Sequence, residues 1–277
     1  MIVTSPQMPI FTRARIFLVP VLLLMAAPLC QASELPSLSK RHYQWLGERV
    51  FANECNQQLE CLVHWNDGEN FPSLGIGHFI WYAEGQSERF EETFPQLLAF
   101  LQQRGIELPT WLEKPLQADN PWPNRLDFQT ASGSHRMQEL RQLLQATKDG
   151  QAAFIVRRLD NTAVEMLESV PESQQDSLRQ VFTSVANSSS PLGTYALIDY
   201  LHFKGSGLNP SERYRQQGWG LKQVLLRLNP ATANVENFVE AATDVLTERV
   251  LNAPVERNEQ RWLPGWHKRL QTYLQAQ

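Results

Sequence analysis

The chain has 277 residues, of which 42% are hydrophobic and 10% aromatic, so it can bury the core of one globular domain or of two small lobes, and its composition excludes a disordered chain. Its formal net charge of -4 at pH 7 argues against nucleic acid as a partner, because such binding selects basic proteins. The sequence has no internal repeat, phosphate-binding glycine loop or nucleotide fingerprint.

Residues 1–32 have the pattern of a secretory signal peptide. Arg13 and Arg15 precede an apolar run, and small residues follow up to Ala32. Because the run is short for a membrane span, we expect cleavage after Ala32 and a periplasmic or secreted protein without a transmembrane segment. A lipid anchor at Cys30 is the less favoured alternative, because bulky Leu29 precedes it. Cleavage removes two arginines and no acids, so the formal charge moves from -4 to -6.

The mature chain, 33–277, is predicted to form a single domain that begins with a helix. Apolar residues recur at helical spacing between Leu38 and Asn53, and Ser37 or Ser39 can cap the first turn. This pattern places Glu54 in the last turn of the helix or just past it.

Two cysteines, Cys55 and Cys61, remain after cleavage in a compartment that is expected to be oxidising. They are predicted to form a disulfide that closes a small loop and fixes Glu54 relative to the next segment. Two buried free thiols are the alternative. No second Cys or His pair accompanies them, so the spacing is not that of a zinc site, and we expect no metal.

A β-hairpin is predicted for the segment that ends near Tyr82. A turn at 66–70, rich in Asn, Asp, Gly and Glu, is followed by alternating residues that include Gly75 and Gly77. A carboxylate at a helix end that faces a hairpin with a second carboxylate is the arrangement that a glycosidase needs.

Helical patterns dominate the remainder of the chain, so the predicted class is mostly α (α+β), with a hairpin lobe at about 54–82 and a helical lobe at about 135–277. Residues 88–104 predict a helix with Pro95 as a kink or a new start, and 106–134 predict a long loop with short helical pieces. Further helices are predicted at Met137–Ala146, Gln151–Leu167, Ser173–Val185, Tyr195–Leu201 and Val235–Val250, with breaks at Asp149-Gly150 and at 170–172. The strongly apolar helix at Tyr195–Leu201 is expected to be central and buried.

Aromatic and basic residues cluster around two glycine-bearing turns after this central helix. Sugar rings dock on aromatic faces while polar groups fix their hydroxyls, so four residues are candidates for substrate binding: Tyr200, Lys204, Tyr214 and Trp219. Each of them, taken alone, is more often a packing residue.

The segment from Asp67 to His78 resembles the hairpin of bacteriophage-type lysozymes. In that family an acidic residue is followed by a hydroxyl residue and then by an aliphatic-Gly-aliphatic-Gly-His run, which Asp67, Ser73 and Leu74-Gly75-Ile76-Gly77-His78 match without a gap. The family places its general-acid Glu at the end of the preceding helix, as Glu54 is placed here, although Glu54 lies a few residues farther upstream and Ser73 replaces the usual Thr. The resemblance covers a small part of the chain.

This resemblance implies a lysozyme-like, two-lobed helical fold with a small hairpin and a set of catalytic roles. Glu54 would be the general acid, with its pKa raised by apolar neighbours such as Phe51 or Trp65. Asp67 would stabilise the transition state or position a water that Ser73 orients, and Glu69 competes with Asp67 for that role. His78 is interpreted as a structural residue that ties the hairpin to the helix.

The function expected from the signal peptide and the hairpin together is an exported glycoside hydrolase that cleaves peptidoglycan or a related amino-sugar glycan and needs no cofactor. A lytic transglycosylase, which needs a single Glu and uses the substrate's own hydroxyl in place of water, is a close variant. A non-catalytic protein that binds envelope glycan on a lysozyme scaffold is the alternative from another class. We expect a monomer.

Overall fold

The computed structural model describes residues 35–88 and 90–275, so the predicted signal peptide lies outside the described part of the chain. Its helices are α1 (Lys40–Cys55), α2 (Phe94–Gln103), α3 (Arg125–Thr130), α4 (His135–Ala146), α5 (Lys148–Glu168), α6 (Glu172–Asn187), α7 (Leu192–Lys204), α8 (Leu221–Leu225), α9 (Val235–Asn252) and α10 (Leu263–Gln271). Its strands are β1 (Val63–His64), β2 (Ser73–Leu74), β3 (Phe79–Ile80), β4 (Arg213–Tyr214) and β5 (Gln217–Gly218). The predicted class, mostly helical with little strand, is confirmed, whereas the lysozyme fold itself stays a prediction.

The predicted hairpin is a small antiparallel sheet in the order β1-β2-β3, with β2 in the centre. Leu74 of β2 lies opposite Val63 on one side and Phe79 on the other. A second antiparallel pair, β4 with β5, lies much later in the chain. The strands are short because turns with positive φ, at Gly75 and at His78, interrupt the extended backbone between β2 and β3.

Helix α1 forms where the apolar spacing predicts it and packs mainly against α5. The Ser39 hydroxyl accepts a hydrogen bond of 3.2 Å from the amide of His42 and caps the first turn. Glu54 lies in the last turn of α1, as predicted.

Helix α7 is the central buried helix that the apolar run predicts. All of its residues from Leu192 to Tyr200 are buried, and it packs against α5, α6, α8 and α9.

One predicted boundary is resolved and another is wrong. Of the two alternatives for Pro95, a kink or a new start, the structure has the new start: helix α2 begins at Phe94, and Pro95 occupies the first turn, where its fixed φ and missing N–H are tolerated. Asp149 and Gly150 do not separate two helices but lie in the first turn of α5, and the break falls at Thr147. A Cβ at Gly150 would lie 2.6 Å from the Leu101 side chain, so this glycine permits close helix packing rather than a turn.

The described residues form one compact unit with a contiguous hydrophobic core that includes residues from the first sheet and from most of the helices. The predicted loop at 106–134 contains α3 and short 3-10 turns, and its tryptophans Trp111 and Trp122 pack against Trp81. Within the described residues, every helix is too short or too polar to cross a membrane.

Candidate functional site

A cavity of about 360 Å³ opens between α1, α5, α7 and the segment that joins β2 to β3. Its apolar wall comes from residues such as Val50, Ile76 and Ile198. Its polar groups include the side chains of Glu54, Arg158, Asp199 and His202. A concave apolar site with a few convergent polar groups is the usual form of a ligand site, so we treat this cleft as the candidate functional site.

Glu54 is held in the cleft by partners from two other helices. One terminal nitrogen of Arg269 in α10 lies 2.6 Å from Oε1, and Nε2 of His202 in α7 lies 3.5 Å from Oε2. The Glu54 side chain retains 13% of its exposure, so the carboxylate is largely shielded but open to the cleft.

These partners decide the protonation of Glu54. Burial by itself would raise the pKa of the carboxyl, but the hydrogen bonds and charges of His202 and Arg269 outweigh burial and lower the pKa to about 2. The carboxyl is therefore ionised at neutral pH in the unliganded cleft. The prediction that apolar neighbours raise the Glu54 pKa is wrong, because the prediction did not include the two basic partners, His202 and Arg269.

Asp199 anchors the arginine that binds Glu54. Its two carboxylate oxygens accept hydrogen bonds of 2.8 Å from the Nε and a terminal nitrogen of Arg269, and Oδ2 accepts a third, of 2.6 Å, from the Tyr273 hydroxyl. Asn53, the neighbour of Glu54, also contacts Asp199 at 3.4 Å. Asp199 is only 4% exposed, so these bonds compensate for the cost of burying its charge.

The β2–β3 segment is fixed to α5 by a buried glutamine. The amide of Ile76 donates a hydrogen bond of 2.9 Å to Gln151 Oε1, and the Gln151 amide nitrogen donates to the Leu144 carbonyl at 2.7 Å. A Cβ at Gly75 would lie 2.3 Å from Gln151 Oε1, and φ at this glycine is +68°, so only glycine fits there. The glycines predict that another group comes close to this backbone. In the structure, the group that comes close to Gly75 is the Gln151 side chain of the protein itself.

His78 and the disulfide both lie close to Glu54. Cys55 and Cys61 are bonded, with their Cα atoms 5.4 Å apart, so the predicted disulfide is confirmed. His78 Nε2 lies 3.8 Å from Cys61 Sγ, and the His78 ring is 6.1 Å from that of His202. Burial lowers the pKa of His78, while the negative charges of Glu54 and Glu69 act in the opposite direction.

Glu54, His78 and His202 bring one carboxylate and two imidazoles to one point. Their ligand atoms all lie within 4.8 Å of one another, so these three residues could hold a metal ion.

No protein-family model, curated protein or solved structure matches this chain. The likeness to bacteriophage-type lysozymes therefore stands on the hairpin residues and on Glu54.

The other predicted catalytic residues lie outside the lining of the cleft. Asp67 is on the exposed turn between β1 and β2, where its side chain is 92% exposed and pairs with Arg125 at 3.1 Å. Glu69 is half-buried and accepts a hydrogen bond of 2.9 Å from Asn66. Ser73 is buried in β2. The negative charge of Glu69 acts to raise the pKa of His78, against the larger effect of burial, which lowers it.

The four predicted sugar-binding residues lie near one another but not in this cleft. Tyr200 is fully buried, and its hydroxyl donates to the Trp219 carbonyl at 2.9 Å, which makes it a core residue rather than a surface for sugar. Trp219 is buried against Tyr214, with ring centres 4.7 Å apart. The Lys204 amino group lies 3.4 Å from the ring centre of Trp266.

Five polar residues described at the site were not among the predicted ones: Gln151, Arg158, Asp199, His202 and Arg269. One signal was available, because Asp199 and His202 are three positions apart in an apolar helix and therefore share a face. A charged residue in such a helix is costly unless it has a partner. Nothing in the sequence near Arg269 indicates that it meets Glu54.

Proposed function

We propose that this protein cleaves the glycosidic bonds of peptidoglycan or a related amino-sugar glycan, with Glu54 as the group that transfers the proton. The observation that carries the proposal is the position of the Glu54 carboxylate, which lies in the last turn of α1 and lines a cleft that the glycine-containing β2–β3 segment also lines. A partly shielded carboxylate in a groove is what protonation of a leaving oxygen requires.

The proton for this step can reach Glu54 from His202. His202 Nε2 lies 3.5 Å from Glu54 Oε2, which places the imidazole close enough to pass a proton to the carboxylate. A glycan that fills the cleft excludes water from Glu54, and this loss of solvation favours the neutral carboxyl, which then acts as the acid. The cation of Arg269 opposes this change, and its hydrogen bonds to Asp199 hold it in place while Glu54 changes its charge.

The transglycosylase variant is supported by a separate observation. Among the described residues that line the cleft, the carboxylates are those of Glu54 and Asp199, and Asp199 is occupied by Arg269 and Tyr273. Asp67 is exposed and paired with Arg125. A mechanism that needs a single catalytic carboxylate, that of Glu54, and in which the substrate's own hydroxyl completes the reaction, fits this arrangement.

The test is the release of soluble fragments from purified peptidoglycan sacculi, with products resolved by mass. Wild-type protein is compared with Glu54→Gln and with the matched control Glu60→Gln, whose exposed carboxyl lies just after the same helix. Loss of a general acid lowers the rate by about 10²-fold or more, so we expect that loss in Glu54→Gln and near wild-type release in the control.

The same assay separates the three candidate activities. Products that contain an added water identify the hydrolase, and products lighter by one water identify the transglycosylase. Asp67→Asn and Glu69→Gln then decide whether a second carboxylate is required. Binding to sacculi without release by the wild-type protein, over a range of pH and salt, contradicts both enzymes and leaves the glycan-binding alternative.

A further inference from the structure

The cluster of Glu54, His78 and His202 combines residue types that act together as ligands of transition metals. Imidazole nitrogens and a carboxylate oxygen suit Zn²⁺ and related divalent ions. The three residues come from three separate elements, namely the end of α1, the β2–β3 segment and α7.

The spacing of the ligand atoms is close to that of a metal site. Bonds from Zn²⁺ to nitrogen and oxygen are about 2.0–2.2 Å long, so neighbouring ligand atoms in a tetrahedral site are about 3.4 Å apart. The separation between Glu54 Oε2 and His202 Nε2 is 3.5 Å. The remaining separations are at most 4.8 Å, so each must shorten by at most about 1.4 Å for the three atoms to bind one ion.

The charges around the cluster also favour a cation. Glu54, Asp199 and Arg269 together carry a net charge of -1 when the histidines are neutral, because the two carboxylates outnumber the one guanidinium. Arg269 binds Glu54 through Oε1 and leaves Oε2 facing His202. An arginine that orients a ligating carboxylate in this way is an outer-shell partner of the kind that metal sites use.

We propose that Glu54, His78 and His202 bind one divalent transition-metal ion, with Zn²⁺ as the representative case. The His202 side chain is 43% exposed, so water or a ligand can reach the fourth coordination position from the cleft. The proposal does not rest on glycan cleavage. If the protein does cleave glycan, the metal occupies the Glu54 oxygen that faces His202 and inhibits the reaction.

Direct measurement of Zn²⁺ binding to the purified, oxidised protein tests the site without any activity assay. Isothermal titration calorimetry is run on wild type, Glu54→Gln, His78→Asn and His202→Gln. Asparagine is chosen at 78 because it tolerates the φ of +48° found there. The matched control is His135→Gln, since the His135 side chain is 84% exposed and pairs only with Glu139.

We expect one Zn²⁺ per chain in wild type and in the control, and a loss of affinity of about 10-fold or more in each of the three ligand variants. Zn²⁺ should also raise the melting temperature of wild type but not that of the ligand variants, which keeps the test informative where a variant is less stable. Absence of stoichiometric binding by wild type, or equal affinity in all variants, overturns the proposal.

A second control addresses the cysteines, because Cys55, Cys61 and His78 also lie close together. In the oxidised protein the two sulfurs are bonded to each other, so a double variant with Cys55→Ser and Cys61→Ser should keep its Zn²⁺ affinity. Loss of binding in that double variant, with unchanged binding in Glu54→Gln, assigns the metal to the group of Cys55, Cys61 and His78 and contradicts the proposed site.

Discussion

Arg269 and Glu54 meet across 215 residues of chain, where a guanidinium nitrogen donates a hydrogen bond of 2.6 Å to Glu54 Oε1. The same guanidinium binds both oxygens of the buried Asp199. One arginine therefore joins α10 to α1 and α7. It helps His202 to keep Glu54 ionised, and it pairs with the buried charge of Asp199.

Acid should destabilise the protein through Glu54. Its pKa is about 2 in the folded protein and near 4.5 in the unfolded chain, so the stabilisation is complete above pH 4.5 and is lost as the pH falls toward 2. Each pKa unit corresponds to about 1.4 kcal/mol, which sets an upper limit of about 3 kcal/mol for this group. Urea unfolding at pH 7 and at pH 3 should show a smaller loss of stability in Glu54→Gln than in wild type. An equal loss in both proteins contradicts the ion pair.

Replacement of Arg269 by Met should be strongly destabilising, because it leaves the carboxylate of Asp199 buried without its main partner. Removal of one member of a buried pair costs roughly 3–5 kcal/mol of unfolding free energy. A double variant, Arg269→Met with Asp199→Leu, should recover part of this loss because it removes both charges. Unfolding in urea measures both effects, and no recovery in the double variant shows that Arg269 acts through other contacts.

Gln151 should control the position of the β2–β3 segment. In Gln151→Leu the Ile76 amide and the Leu144 carbonyl lose their partner in a fully buried place, which costs roughly 1–3 kcal/mol for an unsatisfied group. Gln145→Leu is the matched control, because Gln145 is exposed near the end of α4. Hydrogen exchange at Ile76 should accelerate in Gln151→Leu and stay unchanged in the control. If it does not accelerate, the segment is held by other contacts.

The free energy of unfolding should increase with pH because of Lys204. Burial, aided by the charge of Arg249, lowers its pKa from 10.5 to about 7, so the unfolded chain binds more protons than the folded protein between these values. Contacts of the amino group with the rings of Trp266 and Phe203 favour its charged form and limit the effect.

Between pH 7 and pH 10 the wild-type protein should gain stability relative to Lys204→Met, by less than about 5 kcal/mol. Thermal unfolding of the two proteins at both pH values measures the difference. A constant difference across this range shows that Lys204 has an ordinary pKa.

Removal of the disulfide should have a moderate cost. The bond joins residues that are six positions apart, and the entropy of so small a loop corresponds to about 2 kcal/mol. A Cys55→Ser, Cys61→Ser protein should therefore remain folded and lose about that much stability in urea. A much larger loss shows that the bond also holds the end of α1 and Glu54 in place.

The amino-acid sequence determined those parts of the structure that depend on neighbours in the chain. Apolar spacing and a serine cap specify α1, and they place Glu54 in its last turn. A strongly apolar run, Tyr195–Leu201, in which Asp199 is the one charged residue, specifies α7 as the buried centre. Two cysteines six positions apart need only a short loop to come within bonding distance. In each case the interactions that decide the structure join residues close in the sequence, so the pattern of residues along the chain predicts them.

Only the tertiary structure decided what surrounds Glu54. His202 is 148 residues away in the sequence and Arg269 is 215 away, and neither has a local feature that points to Glu54. Gln151 likewise has no local feature that indicates its partner. It is buried where its side chain accepts a hydrogen bond from the Ile76 amide, 75 residues earlier in the chain. Long-range packing thus made Glu54 a strongly ionised group beside two histidines, whereas local pattern could state only that an acid ends the helix.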